Sequence, residues 1–318
     1  MKSARLFAVL ALLALLSAGL VFAAPIDDKP VAGSQAAPAA SLVTAPTAFV
    51  ERDGIRFAYR RFGHGPGLPL VFLQHFRGNL DNYDPAVTDP LAQGREVIVF
   101  DNTGVGASSG PAKNNVEALA HDAETFIDAL GLKRIDLLAH SMGGYVGQQI
   151  ALDRPELLHR IVLVGTGPRS GEGMATRKES TASLFSKQYQ PQDLMWGPIF
   201  FPLSEAGQAA ARGYFERTHL RTADRDVPVS AETAAAHSTA ARAWGAAGGT
   251  LDYLKRITQP VLVVNGSDDI VVPTVNSYVL QQQLPNARLI LFPDSNHGSH
   301  FQYHDIFVRE VAAFLDRD

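Results

Sequence analysis

Six short apolar runs, separated by longer helix-like stretches, set narrow limits on what this chain can become. They are Leu70–Leu73, Glu96–Phe100, Ile135–Leu138, Ile161–Val164, Val261–Val264 and Arg288–Phe292. Continuous apolar runs of this length suit strands covered on both faces, the condition of a parallel sheet. Between them lie Val116–Leu130 ending at Gly131, Met142–Asp153 ahead of Pro155, and Val275–Leu284 ahead of Pro285. A glycine just past a helix, or a proline soon after it, is an ordinary stop signal. Strand, helix and strand in alternation predict a doubly wound, mostly parallel α/β sheet. Phe49–Arg61, broken at Asp53-Gly54, reads as an antiparallel hairpin at the sheet edge.

The rhythm stops between about Gly167 and Gly249, where the chain becomes alanine-rich and carries Trp196, Phe200, Phe201, Tyr214, Phe215 and Trp244. This predicts a helical cap over residues 168–249, inserted above the sheet. Its aromatics are expected mainly to pack the cap onto the main domain, with some left to line a substrate pocket.

At the N-terminus, Lys2 and Arg5 precede an uncharged apolar run from Leu6 to Phe22, followed by Ala23. A basic start, an apolar run and a small residue suit a secretory signal peptide over residues 1–23. The alternative is a membrane anchor, but no positively charged stop follows the run. The expectation is a periplasmic or secreted protein with no stable membrane insertion once the signal is removed. Residues 24–47 include the Ala-, Pro- and Ser-rich stretch Pro30–Pro46, which predicts a flexible linker, with the folded part starting at residue 48. The chain has no cysteine, which excludes disulfides, thiolate-based zinc sites and a cysteine nucleophile. Net charge is −4, with no basic cluster beyond pairs such as Arg60-Arg61, so no nucleic-acid partner is expected; the expected partner is a small-molecule substrate. Nothing in the sequence fixes an oligomeric state.

Chemistry concentrates at the ends of the predicted strands. Ala139-His140-Ser141-Met142-Gly143-Gly144 follows one strand and opens a helix. A serine on such a tight turn points its hydroxyl away from the sheet, and the backbone N–H of Met142 at the helix N-terminus is free to bind an oxyanion. Asn265-Gly266-Ser267-Asp268-Asp269 follows a second strand, and a carboxylate there shares the rim with the serine. Phe292-Pro293-Asp294-Ser295-Asn296-His297-Gly298 follows a third.

These motifs resemble the α/β-hydrolase fold family, in its capped, esterase- and haloperoxidase-like branch. The resemblance runs from about Phe49 to Leu315 and is weakest in the cap. It implies Ser141 as nucleophile. It also implies Asp269 as the acid, three residues after Gly266 with Pro273 four further on, and His297 as the proton shuttle. Asp268 is the rival acid, with turn capping as its other role. The resemblance further makes Phe76, in Gln74-His75-Phe76-Arg77-Gly78, the second oxyanion donor beside Met142. Two positions depart from the family pattern: Ala139 stands where the elbow usually has glycine, and bulky Phe76 where glycine is common.

Several residues have competing readings. Arg77 faces either a substrate carboxylate or solvent and an ion-pair partner. His297, His300 and His304 are spaced like metal ligands, with Asp294 near, but no four-ligand pattern is present; His300 and His304 read as surface or packing residues. His75 and His140 read as structural neighbours of the site. His64, His121, His159, His219 and His237 read as scattered surface or core residues. Asp101–Gly110 lacks the spacing and the following helix of a dinucleotide-binding turn, and reads as a structural loop.

The expected reaction is acyl transfer from an ester or lactone to water through an acyl-enzyme, needing neither cofactor nor metal. A serine nucleophile argues against the branches of the family that attack with a carboxylate. Two other functions fit less of the sequence: a cofactor-free haloperoxidase or perhydrolase using the same triad, and a non-catalytic exported binding protein.

Overall fold

The computed structural model describes residues 41–317; the expected signal peptide and most of the expected linker lie outside the described residues. The sheet has eight strands: β1 (Ala48–Arg52), β2 (Ile55–Phe62), β3 (Leu70–Leu73), β4 (Val97–Phe100), β5 (Ile135–His140), β6 (Leu158–Val164), β7 (Val261–Gly266) and β8 (Ala287–Phe292). Their order is β1-β2-β4-β3-β5-β6-β7-β8, and β2 alone runs antiparallel to its neighbours. All six runs singled out in the sequence are strands, and the Asp53-Gly54 hairpin occupies the edge.

The chain leaves β3 for β4 on one side and returns past it to β5 on the other. This reversal opens a crevice between the ends of β3 and β5, the position where open α/β sheets bind ligands.

Helices cover both faces. Val71, Leu73, Leu137 and Val263 pack against α2 (Val116–Ala129), α3 (Met142–Asp153) and α8 (Val275–Gln283). Their strand neighbours Leu70, Phe72, Leu138 and Leu262 point the other way, to α1 (Pro85–Leu91) and α10 (His304–Leu315). Side chains that alternate between two covered faces explain why these strands read as unbroken apolar runs. A short helix, α9 (Ser299–Gln302), precedes α10. Among the described residues no helix is long and apolar enough to cross a membrane.

Between β6 and β7 the chain forms α4 (Glu179–Ser186), α5 (Trp196–Phe200), α6 (Glu205–Thr218) and α7 (Ala231–Gly245). Specific polar contacts fix these helices to the sheet domain. Arg217 makes a two-pronged bond to Asp84 at 2.8 and 2.7 Å, Tyr214 donates to the Asn82 carbonyl at 2.8 Å, and Thr233 donates to the Gly104 carbonyl at 2.7 Å. The folded part also starts earlier than residue 48. Leu42 and Ala45 are buried, the Leu42 amide donates to Asp89 at 2.8 Å, and Arg221 donates to the carbonyls of Val43 and Ala45. Residues 41–47 are therefore packed rather than a flexible linker: two small apolar side chains and a cap arginine suffice to dock them.

Asp101, at the end of β4, meets Asp226 from the segment before α7. Both carboxylates accept from the Leu80 amide, at 2.9 and 3.1 Å. Burial and the neighbouring Asp226 carboxylate push the Asp101 carboxyl well above the usual carboxylate range. A group whose pKa is raised by folding contributes stability at low pH and loses it as pH rises through the folded value. Asp101→Asn keeps the acceptor for Leu80 and supplies a permanent donor toward Asp226. Relative to the parent, its Tm is expected to be higher by about 2–4 °C near pH 9, with the gap closing toward about pH 5. Thermal melts across that range check this.

Candidate active site

Ser141 sits between β5 and α3 with φ 56° and ψ −118°, a conformation that costs a non-glycine residue about 1–3 kcal/mol. Its surroundings hold it there. The Ser141 amide donates to the Val164 carbonyl at 2.8 Å, and the Ser141 carbonyl accepts from the Gly144 amide and the Thr166 hydroxyl, both at 2.9 Å. The small residues are sterically required: a Cβ on Gly143 would stand 2.4 Å from the Leu73 carbonyl oxygen, and one on Gly144 2.4 Å from Thr166 Oγ1. Ala139, the departure from the usual elbow, is fully buried facing Gly147, where an added Cβ would come within 3.4 Å of the Ala139 methyl. Glycine one turn into α3 makes the room that glycine normally makes in the elbow.

The Ser141 hydroxyl lies 2.8 Å from His297 Nε2, and His297 Nδ1 lies 2.8 Å from Asp269 Oδ2. The other Asp269 oxygen accepts from the amides of Val271 and Val272 at 2.8 and 3.0 Å. With a carboxylate on Nδ1, that nitrogen carries the proton and Nε2 is free to accept from the serine. All three side chains are buried. Asp268 points elsewhere: it is exposed and accepts from Ser267 Oγ at 2.6 Å.

Asn296, to which the sequence reading gave no role, joins the acid loop to the histidine loop. Its Oδ1 accepts from the Ile270 amide at 2.8 Å and from the His297 amide at 2.9 Å. An asparagine in a turn is common enough that sequence alone gave no reason to select it.

Phe76 and Met142 border the same cavity of about 340 Å3 as Ser141 and His297. Met142 is the first residue of α3, where amides lack intrahelical partners, and among the described residues nothing accepts from the Phe76 amide. The loop that presents Phe76 is self-braced. Gln74 Oε1 accepts from the His75 amide, Gln74 Nε2 donates to the Asn79 carbonyl, and His75 Nδ1 donates to the Phe76 carbonyl, all at 3.0 Å. The bulky Phe76 ring leaves the backbone free by turning to the cap, edge-on to Phe185 at 5.6 Å and beside His237 at 6.3 Å. His237, buried in α7, accepts from the Arg77 amide at 3.3 Å. Arg77 itself borders a separate polar cavity near Asn79 and Asp193, away from Ser141.

A cluster of buried imidazoles surrounds the histidine loop. His140 Nε2 donates to the His297 carbonyl at 3.1 Å, and the His140 ring packs on His75, His297 and His300 at 5.2, 5.1 and 4.4 Å. The three imidazoles spaced like metal ligands thus diverge. His297 meets the serine, His300 packs in the core, and His304 is partly exposed beside Asp305. Burial pushes His75 down to about 3, and lowers His140 and His300 well below the usual histidine value. These neighbours are neutral at neutral pH, so they do not oppose a transient positive charge on His297.

The model of the alpha/beta hydrolase fold family matches residues 69–302. The chain belongs to this family. Among curated relatives it is 31% identical over 258 residues to a protein of Pseudomonas savastanoi pv. phaseolicola that carries the provisional name carbamate hydrolase RutD, covering 78% of this chain and 94% of the relative. It is 28% identical over 276 residues to a non-heme chloroperoxidase of Streptomyces lividans, covering 83% and 97%. Among solved structures, an alpha/beta hydrolase fold protein from Chitinophaga pinensis superposes with a TM-score of 0.82 at 39% identity, covering 88% of this chain and all of the other.

Two predictions follow from the packing around His297. Gly165 has φ +54°, and a Cβ there would sit 3.2 Å from His297 Nδ1. Gly165→Ala is expected to cost about 1–2 kcal/mol of stability and, by displacing the imidazole a few tenths of an ångström, to lower kcat/KM about tenfold; melts and kinetics on one preparation test both. Buried neutral histidines bind protons only on unfolding, so stability is lost as pH falls below the ordinary histidine value of about 6.5. His300→Leu removes one such group and is expected to flatten the fall by up to about 1.4 kcal/mol per pH unit, measured by urea unfolding between about pH 7 and pH 5.

Proposed function

We propose that this protein is a serine hydrolase that cleaves a carboxylic ester or lactone through an acyl-enzyme. The observation that carries the reading is the unbroken relay from Ser141 Oγ through His297 to Asp269, at 2.8 Å for both links, on the wall of a cavity that Met142 and Phe76 also line. His297 takes the Ser141 proton as the oxygen attacks the carbonyl carbon, and Asp269 stabilises the imidazolium. The oxyanion is received by the amides of Met142 and Phe76. Collapse of the tetrahedral intermediate expels the alcohol, protonated by His297, and a water activated by the same imidazole then releases the acid. The apolar N-terminal run supports action outside the cytoplasm, on substrates met in the periplasm or medium.

A second reading keeps the acyl-enzyme and replaces water with hydrogen peroxide, giving a peracid. It is favoured by the relative named as a non-heme chloroperoxidase. Carbamate cleavage, suggested by the name of the other relative, would use the same attack on a carbonyl carbon.

The test is a panel of esters, lactones and carbamates, with and without acetate and peroxide, run beside Ser141→Ala. The variant is expected to lose about a thousandfold or more in kcat on the best substrate, and the parent to be labelled at Ser141 by a fluorophosphonate. Full activity in the variant refutes the mechanism. Bromination of a dye that depends on acetate and peroxide, outpacing ester hydrolysis, favours the peracid route.

A further inference from the structure

Most buried or half-buried arginines of this chain have an acidic partner: Arg60 meets Asp81, Arg95 meets Asp136, Arg154 meets Asp128 and Arg217 meets Asp84. Arg177, just before α4, does not. It borders the cavity that holds Ser141 and is only partly accessible, yet among the described residues no carboxylate lies within ion-pairing distance and no acceptor takes its guanidinium. It rests instead on two aromatic rings, 4.6 Å from the Phe185 centroid and 5.6 Å from that of Phe76. A second arginine with no acidic partner among the described residues, the exposed Arg242 on α7, borders the same cavity. The rest of the wall is largely apolar or aromatic, including Trp196, Phe200 and Val271.

A guanidinium drawn out of water without a counter-ion is costly, and aromatic faces recover only part of that cost. Arg177 is such a group, and with the exposed Arg242 on the same cavity it leaves an unmet demand for negative charge. Burial and the proximity of Arg242 both lower the Arg177 pKa, in keeping with two cations facing one space without an acid between them. The position matters as much as the charge. Arg177 lies over the ring of the residue whose amide is the proposed oxyanion donor, so an anionic group held there belongs to the same molecule as the carbonyl under attack.

Building on the serine-hydrolase reading, we propose that the substrate is an ester or lactone bearing a free carboxylate, and that Arg177, assisted by Arg242, is the residue that selects it. The planar fork of arginine matches a carboxylate with two parallel hydrogen bonds. Phe76, Phe185 and Trp196 enclose the carbon chain between the carboxylate and the scissile carbonyl. Neither arginine takes part in bond making; both bind and orient.

The experiment compares two esters of equal chain length, mono-p-nitrophenyl glutarate and p-nitrophenyl valerate, in the full chain, Arg177→Gln, Arg177→Lys and Arg242→Gln. Arg177→Gln is expected to lower kcat/KM on the glutarate ester about 10–100-fold, with a loss on the valerate ester at least about tenfold smaller. Arg177→Lys, which keeps the charge but not the fork, recovers part of the selectivity, and Arg242→Gln shows a smaller change in the same sense. In the parent, the preference for glutarate shrinks as salt rises toward about 1 M. Free glutarate slows fluorophosphonate labelling of Ser141 in the parent and not in Arg177→Gln. Equal losses on both esters together with no protection by glutarate overturn the proposal while leaving the hydrolase reading intact. Failure of the folded parent to label at Ser141 overturns both. The parent's own salt dependence and glutarate protection decide the matter even if a variant fails to fold.

Discussion

The site depends on one constraint: a parallel sheet buried on both faces delivers several strand ends to a single edge. β3, β5, β7 and β8 all run in the same direction, so the loops that follow them open on the same side. Ser141 follows β5, Asp269 follows β7, His297 follows β8 and Phe76 follows β3. No long-range pairing between these side chains is needed to bring them near one another; backbone ladders and apolar faces do that before any proton moves. What remains is alignment over a few tenths of an ångström. That is supplied by Asn296 between two loops, by His140 on the His297 carbonyl, and by the hydrogen bonds that fix the elbow.

Much of this could be read from the sequence because the features that build the sheet are local. Continuous apolar runs give the strands away, and the Gly131 and Pro155 stops mark helix ends within a residue. Ser141, Asp269 and His297 follow strands directly, so their common edge could be inferred from topology. The cap resists such reading. Its helices are short and alanine-rich, and their packing is decided by aromatics that meet across the fold. Trp196 packs on His75 at 4.4 Å, and Tyr214 meets Phe301 at 4.6 Å. Nothing in the sequence spacing announces that Arg177 borders the cavity while Arg77, next to a proposed oxyanion donor, faces another. Residues 41–47 escaped notice for a related reason, since their docking rests on Leu42, Ala45 and an arginine some 180 positions away.

The cap is both wall and support. Trp196 and Phe200 border the cavity on one side and on the other pack against His75, with ring centroids at 4.4 and 5.2 Å. His75 in turn braces the loop that presents the Phe76 amide. Changes in cap packing therefore reach the proposed oxyanion donor through His75 as well as through the Phe76 ring itself. Tyr145 from α3 and Trp244 from α7 stack at 5.4 Å and join the two layers on the other flank.

The backbone of Ser141 has a consequence for the history of such a chain. At φ 56° a glycine would be more comfortable, so the serine lowers the stability of the fold that contains it. A lineage no longer selected for turnover would find Ser141→Gly among its easiest stabilising changes, because that one substitution relieves the turn without disturbing the packed sheet.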